Sequence, residues 1–170
     1  QREACAKCGE LPPLVHVSTP SYAGTHAEGY HATLAALVDR FAEGGAALGG
    51  VNLIAGMMSP ADLRHLRALA APFFDACTHL PDYADPLDGP TWNEYHAVPA
   101  GGTTLDELRA MGRRCLTLDL ADSAGPDSAA QILRERHGVP AITVGLPMGV
   151  RRTDLLVNQL AAASGRPIPE

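Results

Sequence analysis

Residues 51–70, VNLIAGMMSPADLRHLRALA, contain the pattern that decides the fold of this chain. Val51–Ile54, in which three of four residues are large and apolar, is predicted to form a β-strand. A helix is predicted directly after it, because Ser59 is a good N-cap residue and Pro60 suits the first helical position. The apolar face of that helix consists of Leu63, Leu66, Leu69 and Ala70. The stretch therefore predicts one strand–helix unit.

The same unit recurs on both sides of this stretch. The predicted strands are Leu14–Ser18, Val51–Ile54, Phe73–His79, Cys115–Leu120 and Ala141–Leu146. Helix starts are indicated at Thr25 with Glu28, Ser59, Thr104 with Glu107, and Asp127 or Ser128, and a last helix is predicted from about Arg152 to Ser164. Strands that alternate with helices form parallel sheets through right-handed crossovers. We therefore predict an α/β fold, a doubly wound, mainly parallel, Rossmann-like three-layer α/β/α domain of about five strands. It would cover residues 15–170, with 1–14 as a linker or the end of a preceding element.

Composition and charge exclude several classes of protein. The chain has 170 residues, 46% of them hydrophobic, which suits one globular domain. Its net charge of −6 and its scattered arginines, with Lys7 as the one lysine, argue against nucleic-acid binding and an anionic membrane surface. No apolar stretch approaches the length of a membrane span. The chain starts without Met or a signal-peptide core, as expected of a segment within a longer protein.

The cysteines give little indication of a metal site. Cys77 and Cys115 lie in apolar runs and are interpreted as small buried side chains. Cys5 and Cys8 form a single CxxC pair, and no second pair completes a four-ligand site. His16 is a candidate third ligand, but it lies in a predicted strand. Metal binding by this pair is therefore not favoured.

The loop at residues 19–26, TPSYAGTH, is the best candidate site. It joins the first predicted strand to the first helix, so its backbone N–H groups and the helix dipole could stabilise an anion. It also carries the side chains of Ser21, Tyr22 and His26. Neither a GxGxxG fingerprint nor a P-loop is present. The alternative is an N-cap and a tight turn that serve folding alone.

The long connection Leu80–Gly102 is predicted to be functional or an interaction surface. Asp82, Asp85 and Asp88 could bind a hard cation, but their spacing is not that of an EF-hand, and aspartates commonly cap turns. Asp119, near the end of a predicted strand, is either a carboxylate in a cleft or a residue facing solvent. HExxH and GxSxG are absent, so this segment is not expected to be catalytic on its own.

Six segments, in order, resemble the β-type chains of nitrogenase component 1. The first is VSTPSYAGTH at residues 17–26, followed by Gly29 and Tyr30, which is similar to TPS(F/Y)xGSHxxG(Y/F). The others are residues 51–56 (xNxxPG), 87–95 (LDxPxxxxY), 101–107 (GGTTxEE), 147–154 (PxGxxxTDxF) and 164–169 (SGxPIP). The family includes nitrogenase-like reductases and the β-like chain of the cofactor-assembly scaffold. The resemblance identifies the chain as the middle segment of such a β-type subunit.

This resemblance implies a multisubunit, cytoplasmic oxidoreductase. Its β-type chain pairs with an α-type subunit, a second αβ pair joins the first, and an ATP-hydrolysing iron protein donates electrons. A double-cubane iron–sulfur cluster, the P-cluster, is shared with the α-type chain at the αβ interface, and a heterometal cofactor lies in that partner chain. The segment would help hold the shared cluster, which relays electrons to the partner-chain active site.

The resemblance also implies one ligand in this segment. In the family, the serine of TPS can bind one iron when the cluster is oxidised, and Ser21 is the matching position for this cofactor-binding and metal-ligating role. A deprotonated hydroxyl is a hard oxygen ligand that suits oxidised iron. The cysteine ligands of the family's β-type chain lie upstream of the matched segments. Cys5 and Cys8 do not copy their surroundings, so no ligand role carries over to them.

Two alternatives remain open at the level of sequence. The chain could belong to the non-catalytic cofactor-assembly scaffold, although many scaffold chains replace the loop serine, and Ser21 favours the enzyme. It could also be a standalone Rossmann-like module that binds a small anion at residues 21–26. The sequence does not indicate which substrate is reduced.

Overall fold

The computed structural model describes residues 13–91, 93–121 and 127–169, in which strands alternate with helices. The helices are α1 (His26–Phe41), α2 (Pro60–Ala70), α3 (Ala84–Asp88), α4 (Leu105–Ala110), α5 (Ala129–His137) and α6 (Gly149–Ser164), with a 3₁₀ turn at Met111–Arg113. The strands are β1 (Val51–Ile54), β2 (Cys77–Leu80), β3 (Leu116–Asp119) and β4 (Ala141–Thr143). No helix in these ranges is long and apolar enough to cross a membrane.

The four strands form one parallel sheet in the order β2-β1-β3-β4. Helix α2 connects β1 to β2, and α5 connects β3 to β4. Strand order therefore runs outward in opposite directions from the β1–β3 pair, which is the topological switch point of the sheet. This arrangement confirms the predicted doubly wound α/β fold.

Helices cover both faces of the sheet. On one face Leu53 of β1 packs in a buried cluster with Leu66 of α2 and Leu156 of α6. On the other face Ile54 packs in a second buried cluster with α1, α4 and α5, including Val38 of α1. Successive strand side chains point to opposite faces, and here both faces are apolar. The three-layer α/β/α arrangement is therefore confirmed.

The predicted helix starts are confirmed by their hydrogen bonds. Thr25 and Thr104 each form a capping box with the glutamate three residues later. The hydroxyl of Ser59 accepts from the backbone N–H of Asp62 in the first turn of α2, and Ser128 caps α5 in the same way. Each of these caps satisfies backbone donors that the first helical turn leaves without partners.

The prediction of a strand at Leu14–Ser18 is wrong, and the sheet of the described residues has four strands rather than about five. This segment has no regular secondary structure, and Leu14 is 61% exposed. It is short and lies between Pro13 and Pro20, which cannot donate backbone hydrogen bonds to a sheet. Its β-prone side chains therefore do not find a strand partner.

The prediction that both described cysteines are buried is wrong for Cys115. Strand β3 begins one residue later, so Cys115 is exposed, and its thiol donates to the carbonyl of Gly50 at 2.8 Å. Cys77, at the start of β2, is half-buried. Cys5 and Cys8 lie outside the described residues, as does most of the predicted linker at 1–14.

Candidate functional site

The candidate loop lines an open groove of about 690 Å³ at the N-terminus of α1. Its walls include Ser18, Ser21, Tyr22, His26, Tyr30 and Met57. Met57 lies just beyond the carboxyl end of β1, which is one strand of the switch point. Ligands of doubly wound sheets bind at this edge, outside the carboxyl ends of the strands. The structure therefore brings the sequence-predicted loop to the expected binding position.

Ser21 and Tyr22 occupy an exposed turn at this groove. The hydroxyl of Ser21 has no hydrogen-bond partner in the described part of the chain, and the Tyr22 side chain is fully exposed. Tyr22 has a φ of +61°, in the left-handed region that side chains other than glycine seldom adopt. The backbone of this turn thus leaves one hydroxyl and one aromatic ring available to another molecule.

The start of α1 is already occupied by its own capping box. The backbone N–H of Glu28 donates to the Thr25 hydroxyl at 3.2 Å, and the Thr25 N–H donates to the Glu28 carboxylate at 2.5 Å. Gly24 has a φ of +74°, which favours glycine, and an added Cβ atom would come within 2.6 Å of that carboxylate and displace it. A negative carboxylate at this end of the helix disfavours a further anion there. The geometry therefore does not support an anion site at the α1 N-terminus.

Two tyrosines hold the segment that forms the floor of the groove. The Tyr30 hydroxyl donates to the carbonyl of Gly56 at 3.1 Å. The Tyr83 hydroxyl donates to the carbonyl of Met58 at 2.5 Å and accepts from its N–H at 3.0 Å. Burial, and then the neighbouring Tyr83, raise the pKa of Tyr30 well above its usual range, so its phenol stays protonated. Met57 lies between Gly56 and Met58, whose backbone groups these two tyrosines bind.

Asp119 ends β3 on the other side of the switch point. It is 3% exposed, so the interpretation of a residue facing solvent is wrong. Its carboxylate accepts from the N–H of Ala121 at 3.0 Å. Burial raises the pKa of this carboxyl, while the Ala121 hydrogen bond and His31 on α1 act in the opposite direction. Asp119 is therefore a buried carboxyl at the end of the central strands.

The aspartates of the long connection pair with arginines. Arg64 of α2 binds Asp85 and Asp88, each at 3.2 Å, and Arg67 forms an ion pair with Asp82. Asp82 also accepts from the N–H of Ala84 at 3.1 Å, as a turn-capping aspartate does. In the described ranges no group of three His, Cys, Asp or Glu side chains could hold a metal ion. Asp82 therefore caps a turn as predicted, whereas the ion pairs of Asp85 and Asp88 with Arg64 were not predicted.

Sequence reasoning missed a Cys–His pair on the edge strand β2. Cys77 and His79 lie two residues apart, on one face of the strand, with Sγ and Nε2 at 3.3 Å. They line a cavity of about 280 Å³ together with Arg67 and Glu107. Burial raises the pKa of Cys77 to about 12 and lowers that of His79 to about 4. Both side chains are neutral near pH 7, so the pair is not a thiolate–imidazolium pair. The signal that could have placed them together is their spacing, because side chains two residues apart in a strand lie on the same face.

The fold and the groove define a doubly wound α/β domain that presents the exposed Ser21 side chain at its topological switch point. Comparison with known sequences then gives the family. The family model described as nitrogenase component 1 type oxidoreductase matches residues 2–170, and the chain belongs to this family.

The relatives include both enzymes and assembly proteins. The nitrogenase molybdenum-iron protein beta chain of Clostridium pasteurianum is 35% identical over 170 residues, covering 99% of this chain and 37% of the relative. The nitrogenase iron-molybdenum cofactor biosynthesis protein NifN of Bradyrhizobium diazoefficiens is 34% identical, covering 92% of this chain and 34% of the relative. The solved structure titled nitrogenase Cp1 at pH 6.5 aligns with a TM-score of 0.88 and 33% identity, over 99% of this chain and 37% of that one.

These findings confirm the resemblance to the β-type chains that the six sequence segments indicated. They also show that this chain spans little more than a third of the relatives it matches.

Proposed function

We propose that this chain is a domain of the β-type subunit of a nitrogenase component 1 or nitrogenase-like oxidoreductase. In that complex it holds one wall of an iron–sulfur cluster of the double-cubane, P-cluster type, shared with an α-type subunit. The observation that carries the proposal is the exposed Ser21 hydroxyl, which has no hydrogen-bond partner among the described residues and lies in the groove at the switch point. The family membership of the chain supports the same role.

The donor chemistry of the groove fits one edge of such a cluster. A serine oxygen is a hard ligand, and it suits the oxidised iron of a cluster more than the reduced iron. The described residues offer no complete ligand set, so the other ligands must come from elsewhere in the subunits. When bound, the cluster supplies one-electron transfer. Ser21 would be the residue of this segment that holds one iron of the cluster through its side-chain oxygen.

The surroundings of Ser21 are suited to a subunit interface. Tyr22 is fully exposed beside it, and the long connection exposes Leu87, Tyr95 and Val98. Large exposed side chains of this kind are typical of contact surfaces. We assign these two regions to contacts with the α-type subunit and the second αβ pair. An ATP-hydrolysing iron protein would donate electrons in the cytoplasm, and a heterometal cofactor would lie in the α-type chain.

The experiment replaces Ser21 in the full-length β-type chain, purified anaerobically with its α-type partner. The Ser21→Ala variant is expected to shift the midpoint potential of the cluster and change the electron paramagnetic resonance spectrum of its oxidised state. Ser18→Ala is the matched control, because Ser18 is an exposed serine of the same groove. Identical spectra and potentials for Ser21→Ala and the wild type would contradict the proposal.

A second candidate is the β-like chain of the cofactor-assembly scaffold, which the NifN relative favours. The same purified complex separates the two functions. Reduction of a substrate with electrons from the iron protein identifies the enzyme. Transfer of a cofactor to a recipient protein without substrate reduction identifies the scaffold.

A further inference from the structure

Met57 is an apolar side chain held in an exposed position. It is 65% exposed and lines the Ser21 groove. It also lines a second groove of about 240 Å³ between α2 and the start of α6, so it separates the two grooves. A single exposed apolar side chain is common on protein surfaces. The backbone around Met57 is what makes this one unusual.

Hydrogen bonds fix the peptide on each side of Met57. Tyr30 reaches from α1 to the carbonyl of Gly56, and Tyr83 bonds both the N–H and the carbonyl of Met58. These three bonds join residues 25 or 26 positions apart in the chain. Phenol groups that are partly buried and bonded in this way restrict the backbone of a turn. Met57 is therefore exposed by the fold itself, because its turn cannot move to bury it.

We propose that Met57 shields the cluster-facing side of the Ser21 groove from water, and that Tyr30 and Tyr83 are the positioning residues that hold it there. This inference rests on the proposed function. The thioether side chain is unbranched and polarisable, so it adapts to an irregular surface and excludes water from it. The apolar shell around a metal centre controls solvent access and thereby its redox potential.

Shielding from water is expected to change the midpoint potential of the cluster in one direction. An iron–sulfur cluster with thiolate ligands carries more negative charge in its reduced state, and water stabilises the more highly charged state. Water admitted beside Met57 would therefore favour the reduced cluster and raise its midpoint potential. A side chain that excludes water keeps the potential lower.

The test compares two substitutions of similar size in the complete complex. Met57→Gln keeps the length of the side chain and makes it polar, whereas Met57→Leu keeps it apolar. At a fixed potential, Met57→Gln is expected to raise the ratio of reduced to oxidised cluster at least about threefold, and Met57→Leu to leave it near the wild-type value. Met148→Gln is the matched control, because Met148 is 69% exposed and lines the second groove but not the Ser21 groove.

A further pair of variants tests Tyr83 as a positioning residue. Tyr83→Phe removes the hydroxyl that bonds Met58 and is expected to shift the potential in the same direction as Met57→Gln. Ser164→Ala removes a hydroxyl that donates to the carbonyl of Ala161 at the end of α6 and lines neither groove, and it is expected to leave the potential unchanged. If Tyr83 served folding alone, Tyr83→Phe would lower the stability of the complex and leave the midpoint potential of the cluster unchanged.

The outcomes separate this inference from the function on which it rests. A shift for Ser21→Ala together with an unchanged potential for Met57→Gln overturns the shielding role and leaves the proposed function standing. Equal shifts for Met57→Gln and Met57→Leu overturn it as well, since they indicate a role of the sulfur atom. Unchanged properties in Ser21→Ala contradict the proposed function itself.

Discussion

His79 is expected to make the stability of this domain depend on pH between about 4 and 6.5. The side chain is 5% exposed, and burial lowers its pKa from 6.5 to about 4 in the folded chain. In that interval the unfolded chain binds a proton at His79 that the folded chain does not, so stability rises with pH. The contribution of neutral His79 to the free energy of unfolding is fully present above pH 6.5 and is lost as pH falls towards 4.

The magnitude follows from the difference between the two pKa values. Each unit of difference corresponds to about 1.4 kcal/mol, so neutral His79 accounts for an acid-induced loss on the order of 3 kcal/mol. That is a large share of the stability of a typical domain, which is about 5–15 kcal/mol. The positive charge of Arg67 also lowers the pKa of His79, whereas the negative charge of Glu107 raises it.

The assay is urea unfolding followed by circular dichroism at several pH values from 4 to 7.5. His79→Leu removes the titrating group, so its free energy of unfolding should fall less steeply with decreasing pH than that of the wild type. His65→Gln serves as the control, because His65 is an exposed histidine of α2. Equal slopes for the wild type and His79→Leu over pH 4–6.5 would refute the reasoning.

Two further predictions concern the groove and the core. Gly24→Ala is expected to destabilise the domain by about 1 kcal/mol or more, because Gly24 has a φ of +74° and an added Cβ would meet the Glu28 carboxylate. Thermal unfolding measures this effect, and an unchanged or higher melting temperature would contradict it. Leu53→Ala should cost about 3 kcal/mol in urea unfolding, since Leu53 is fully buried in the sheet, whereas Leu87→Ala should stay within about 0.5 kcal/mol because Leu87 is 69% exposed. Similar losses for both leucine variants would show that the packing of Leu53 is not as described.

The order of strands and helices was predictable because the local signals agree with the tertiary fold. The strand predicted at Val51–Ile54 is present and is buried along its whole length, Asn52 included. The capping boxes at Thr25 and Thr104 set the starts of α1 and α4, since their hydrogen bonds form between residues three apart. The strand predicted at Leu14–Ser18 failed because a strand needs a distant partner, which local composition does not reveal.

The candidate site was predictable only in part. The position of Ser21 in a loop before a helix followed from sequence, and so did its resemblance to the serine of the β-type chains. The placement of Met57 beside that loop did not, because the two segments are more than 30 positions apart and meet only when α1 packs on the sheet. The buried state of Asp119 likewise depends on elements from distant parts of the chain.

The sequence by itself determined the α/β class, the helix starts and the family, because each of these is encoded in short segments or in their order along the chain. Only the tertiary structure decided the number of strands, the pairing of the acidic loop with Arg64 and Arg67, and the neutral Cys77–His79 pair. It also decided that two tyrosines hold Met57 exposed at the groove. The physical reason is that burial, ion pairing and desolvation arise from contacts between residues far apart in sequence, and those contacts exist only in the folded chain.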